Sequence, residues 1–120
     1  MHFLSVGNAA GTLEPGIIRC AGYEFSLELM PHEGRILIFN VPVLDGKNHV
    51  CYSTSEVIPL DPERSRLELH GAPGTRGKIV FSGACKVCLN GSPVSLSKDK
   101  DGFALLYEHT REACLISIYE

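Results

Sequence analysis

Cys85-Lys-Val-Cys-Leu-Asn-Gly-Ser-Pro-Val-Ser-Leu96 is the stretch whose reading decides the fold. Two consecutive residues with positive φ make the tight turn whose twist matches that of a β-ribbon, and Asn-Gly supplies both at little steric cost. A two-residue turn at Asn90-Gly91 sets Leu89 opposite Ser92, Val87 opposite Val94 and Cys85 opposite Leu96. Cys85, Val87, Leu89, Val94 and Leu96 then share one face, and a shift of one residue would scatter them. Pro93, facing Cys88, has no N–H to give a neighbour, so the strand that holds it belongs at a sheet edge.

The same signal recurs at Asp45-Gly46 and Asp101-Gly102, each between apolar runs. Tyr23, Phe25, Leu27 and Leu29 alternate with Glu24, Ser26 and Glu28, as in a half-buried strand. Arg35–Val43 is apolar on both faces, as a central strand would be, and Pro31–Gly34 makes the turn between these two. Ser53–Pro62, with two prolines, suits a crossing loop or an edge segment. Arg66–His70 is a short strand with Leu67 and Leu69 inward, Gly71–Gly77 a glycine-rich loop, and Ala113–Tyr119 the closing strand. The sequence predicts one all-β domain over residues 1–120, with about ten to twelve short strands. An antiparallel β-sandwich of jelly-roll or, second, immunoglobulin-like topology fits.

Composition narrows the function. A net charge of −3, with 11 basic and 14 acidic residues interspersed, gives no basic patch for nucleic acid or an anionic membrane surface. No apolar run reaches the roughly 18 residues of a membrane span, and Met1–Gly16 lacks the pattern of an export signal. Five cysteines, an odd and scattered set, read as reduced thiols in a cytoplasmic protein rather than as a disulfide framework.

Sites that look chemical have simpler readings. Cys85-x-x-Cys88 has the spacing of zinc and redox pairs, but inside a strand residues three apart point to opposite faces. Ser97 through Glu108 approximates a calcium loop, with Asp99, Asp101, Gly102 and Glu108 in register. Ser97 stands where an aspartate is required, and neither flank is helical. His2, His32, His49, His70 and His109 form no metal motif, and no serine or cysteine carries a nucleophile signature. Asn90-Gly-Ser92 is a formal glycosylation sequon that the turn itself explains. No metal, cofactor or catalytic residue is assigned, and catalysis is the weaker reading. Tryptophan is absent, and Tyr23 and Tyr107 look inward by alternation. Tyr52 and Tyr119 remain as the outward rings, with His70 on the polar side of its strand, as the binding candidates.

Tyr23–Phe39 resembles the strand, Leu-x-Pro-x-Glu/Gly turn and apolar strand of the C-terminal β-sandwich domains of glycoside hydrolases. Leu29, Pro31, Glu33 and Ile36–Phe39 are the matching residues. The resemblance implies a non-catalytic domain that packs beside a catalytic barrel in a longer chain, and it carries over no catalytic residue. The expectation is therefore a non-catalytic accessory or binding module associated with carbohydrate or a partner domain. The alternatives are a small β-sandwich enzyme or metal protein whose His, Cys and acidic residues converge only in the fold, and a homo-oligomer pairing through the Pro93 edge.

Overall fold

The computed structural model describes residues 2–8 and 14–120; the reading of Met1–Gly16 as no export signal falls partly outside them. The described residues form thirteen strands, β1 (His2–Gly7), β2 (Glu14–Cys20), β3 (Tyr23–Leu29), β4 (Gly34–Val43), β5 (Asn48–Ser53), β6 (Glu56–Pro59), β7 (Arg66–His70), β8 (Arg76–Phe81), β9 (Lys86–Leu89), β10 (Ser92–Val94), β11 (Ser97–Asp99), β12 (Gly102–Glu108) and β13 (Cys114–Tyr119). Described helical structure is limited to a 3-10 turn at Leu44–Gly46, so no described helix is long and apolar enough to cross a membrane.

The expected antiparallel sandwich is what forms. A six-stranded sheet runs β1-β4-β5-β8-β12-β11 and a five-stranded sheet β10-β9-β13-β7-β6. Hairpins β4–β5, β6–β7, β9–β10 and β11–β12 stay within a sheet, while the intervening connections cross between sheets. Between the sheets lies a core of Val41, Val43, Val50, Ile79, Phe81 and Leu105 against Leu67, Leu69, Val87, Cys114, Ile116 and Ile118.

A third layer was not foreseen. Among the described residues β2 and β3 pair only with each other, and their hairpin covers the outer face of the six-stranded sheet. Phe25, Leu27 and Leu29 pack there on Leu37, Phe39, Cys51, Tyr52, Val80 and Ala104. The turn after β3 is therefore an arch between layers, since β4 pairs with β1 and β5 instead of β3. Arg35–Val43 is apolar on both faces because it has a core on each side.

Two irregularities let one strand serve both cores. In β4, Leu37 and Phe39 face the hairpin while Val41 and Val43 face the second sheet. Residues of one parity can change faces only if the pleat is interrupted. Asn40, with φ 55°, interrupts it, and its side-chain carbonyl accepts the Tyr23 hydroxyl at 2.7 Å. In β5 the register against β8 slips between Val50 and Tyr52, which turns both Cys51 and Tyr52 toward the hairpin.

The β9–β10 register is the one that the turn implies, Leu89 to Ser92, Cys88 to Pro93 and Val87 to Val94, with β10 at the sheet edge. Asn90 and Gly91 have φ of 50° and 85°. The other two turns differ from expectation. Asp45-Gly46 sits in a four-residue loop, since Val43 pairs with Asn48. Asp99 pairs with Gly102, so the turn residues are Lys100 and Asp101. Gly102 is needed for another reason: its φ is 153°, and a Cβ there would stand 2.1 Å from the Phe81 carbonyl oxygen.

Candidate functional site

The three candidate residues do not meet. Tyr52 is wholly buried rather than outward, because the β5 slip turns its ring under the hairpin, where it stacks on Phe25 at 4.2 Å between centroids. His70 and Tyr119 do share the outer face of the five-stranded sheet. Cys114 lies opposite Leu69, so Tyr119 stands five residues further along β13, about 20 Å from His70 at ~3.3 Å per residue. His70 is half-buried and bonded through Nε2 to Glu68 Oε1 at 2.8 Å.

Tyr119 borders a cleft with the shape of a ligand site. The β9–β10 hairpin and the start of β12 belong to different sheets and diverge at this end of the sandwich. A cleft of about 500 Å³ opens between them, lined by Cys85, Lys86, Pro93, Leu96, Phe103 and Tyr119 among others. That volume lies within the range of small-ligand sites. The Tyr119 ring is 54% exposed. The Lys98 ammonium lies over the Phe103 ring at 4.4 Å, a cation–π contact. Lys86 is the charged residue of the lining. Burial pushes the Cys85 thiol pKa up, which keeps the sulfur protonated and a poor nucleophile. The cleft offers stacking rings, a cation and a hydroxyl, which suit binding.

The opposite end of the six-stranded sheet holds a buried polar cluster that no sequence motif announces. Arg35, at the start of β4, donates from Nε to Glu33 Oε2 at 2.7 Å, from Nη1 to the Thr54 carbonyl at 2.7 Å and from Nη2 to Thr75 Oγ1 at 2.9 Å. Glu33 also accepts the backbone N–H groups of Met30 and Ala72. His109 Nδ1 lies 3.1 Å from the Thr75 carbonyl and Nε2 lies 2.6 Å from Ser55 Oγ. With the Nδ1 proton on the Thr75 carbonyl, Nε2 accepts from Ser55, whose oxygen accepts in turn from the Tyr107 hydroxyl.

Burial is the largest influence on His109 and lowers its pKa, and the Arg35 charge lowers it further. Burial by itself would raise the Glu33 pKa, but the bonds from Arg35, Met30 and Ala72 outweigh it and hold the carboxyl below its ordinary range. The Tyr107 hydroxyl is pushed far up, chiefly by burial.

Serine, histidine and a carbonyl in this order can activate a hydroxyl in an open site. Here Ser53, Ser55 and Thr75 are wholly buried and His109 nearly so. A Cβ on Gly71 would sit 2.5 Å from the His109 ring, and one on Gly77 2.1 Å from that of Tyr107. The rings lie on bare backbone and leave no room for a substrate. The cluster ties together the ends of β4, β5, β8 and β12, and its members come from four separated segments with no motif among them. Arg35, alone among apolar neighbours and two residues from Glu33, was the available hint.

The calcium-like register does not close. Asp99 pairs with Lys78 at 3.1 Å, and Glu108 lies at the far end of β12. Among the described residues no three His, Cys, Asp or Glu side chains gather as a metal-binding group. No protein-family model matches the chain, and no curated protein matches its sequence.

Proposed function

We propose that the chain is a non-catalytic binding module, with the cleft between the β9–β10 hairpin and β12 as its ligand site and carbohydrate as its ligand class. One observation carries this reading: the exposed Tyr119 borders a cleft of about 500 Å³, whereas the cluster of Ser55, Thr75 and His109 is buried at the other end. A sugar ring stacks its C–H face on an aromatic plane while its hydroxyls bond to polar neighbours. Tyr119 offers the plane, and Lys86 and Ser95 the polar contacts. The module acts as an accessory domain of a carbohydrate-active protein. Five free cysteines support a reducing, cytoplasmic setting.

A glycan array with the wild-type protein and a Tyr119→Ala variant tests the reading. Tyr119 is exposed, so the variant keeps its fold. Binding by the wild type, weakened at least about tenfold in the variant, is expected. No binding to any glycan, or binding indifferent to Tyr119, would overturn it.

A further inference from the structure

The sheet edges of this molecule are not alike. Of the two large sheets, the five-stranded one ends in β10, which holds Pro93, and in β6, which holds Pro59. The six-stranded sheet ends on one side in β11, three residues long and bearing Lys98 and Asp99. β2 carries Glu14, Pro15 and Arg19, and β3 carries Glu24 and Glu28. Prolines, charges and shortness are the devices by which edges are kept from pairing with other chains. β1, His-Phe-Leu-Ser-Val-Gly, has none of them: it is six residues long, without proline and without Asp, Glu, Lys or Arg. Among the described residues it pairs with β4 alone, on one side.

From this edge we infer that two copies of the chain associate by antiparallel pairing of β1 with β1 of the partner, about a two-fold axis through Ser5. Residues directly opposed in such a pair must lie on the same face of the sheet, so a two-fold pairing has to be centred on a residue. Centred on Ser5, Leu4 faces the partner's Val6 and Phe3 faces the partner's Gly7. Leu4 and Val6 already pack at the margin of the core beneath the β2–β3 hairpin, so their new contacts extend it. Phe3 is 65% exposed, and the residue brought opposite it has no side chain.

The chain already uses such a pair internally. Tyr107 opposes Gly77 between β12 and β8, and the ring occupies the space that a Cβ would take. No like charges are opposed anywhere along β1. A second copy therefore fits this edge better than an arbitrary extended peptide, since one two-fold sets both phenylalanine rings over both glycines. The result is a continuous twelve-stranded sheet. A contact this small gives a dissociation constant on the order of 10–100 μM. The inference rests on the sheet edge and is independent of the ligand cleft.

Sedimentation equilibrium up to about 1 mM protein tests it, with two variants that the monomer accommodates. Gly7→Val puts a Cβ in ordinary contact with the Glu33 carbonyl oxygen at 3.9 Å, without a clash, but sets the side chain against Phe3 of the other copy. Ser5→Lys, at an exposed position, opposes two ammonium groups across the axis. The expected result is a monomer–dimer equilibrium weakened at least tenfold by each change, with thermal midpoints within a degree or two of wild type. A strictly monomeric wild type, or a dimer indifferent to both variants, would overturn the pairing.

Discussion

Arg35 illustrates what one residue does when its surroundings leave it no water. Its side chain is 1% exposed, and every direction of the guanidinium fork ends on an acceptor, with Glu33 the charged one at 14% exposure. Removing one partner of a buried pair leaves the other charge with no solvent to turn to, at a cost of about 3–5 kcal/mol. Arg35→Met, which keeps the bulk, should lose that much in urea unfolding. Arg35→Met with Glu33→Gln should lose less than the sum of the two single changes. A loss under about 1 kcal/mol for Arg35→Met would show that the pair does not hold these chain ends together. Neither residue could be placed in such a cluster from sequence, because strand alternation gives a residue's face and not what approaches it from distant segments. His109 is the same case: beside a turn in the sequence, it is buried because Gly71 leaves room for its ring.

Turns were the legible elements, and they were legible to different depths. Asn90-Gly91 is legible in position, register and edge placement, because an apolar face on each arm fixes the pairing independently of the turn. Asn90 does more than turn the chain: its side-chain oxygen accepts the Leu115 N–H at 2.8 Å, and its own N–H donates to the Leu115 carbonyl at 2.7 Å. Asn90→Ala should therefore cost about 1–3 kcal/mol in thermal or urea unfolding, through lost positive-φ tolerance and a Leu115 N–H left without its acceptor. Asn90→Gly keeps the backbone freedom and should cost less; equal costs would assign the whole effect to the side-chain bond. At Asp101-Gly102 the sequence suggests a turn glycine, but the Phe81 carbonyl is what requires it. Such a tertiary cause leaves no local trace. The bulges at Asn40 and in β5 are likewise invisible to period-two reading, and this is why Tyr52 was expected outward.

At the scale of the whole molecule, the sandwich was legible and its third layer was not. Tyr23–Leu29 announces a half-buried strand without saying which sheet it covers. The two ends of the six-stranded sheet differ in character, one closed over a polar cluster and the other open as a cleft. The closed end sets the pH dependence of stability. His109 has a native pKa below its unfolded value of about 6.5, so as pH falls through that value the unfolded chain takes up a proton that the native one refuses. Stability present above pH ~6.5 is therefore lost on acidification, at up to about 1.4 kcal/mol per pH unit for this one group. Glu33, also held below its ordinary range, adds a further loss once pH falls past roughly 4.3. Urea midpoints between pH 8 and 2.5 should show both stages, and His109→Gln should remove the upper one; an unchanged upper stage would place its origin elsewhere. The open end carries the proposed function, and nuclear magnetic resonance titration of the isotope-labelled protein with a panel of oligosaccharides tests it most directly. The expected result is that amide shifts concentrate at Cys85–Cys88, Ser95, Leu96, Phe103 and Tyr119. Shifts centred on Ser55, Thr75 and His109, or none with any oligosaccharide, would contradict it.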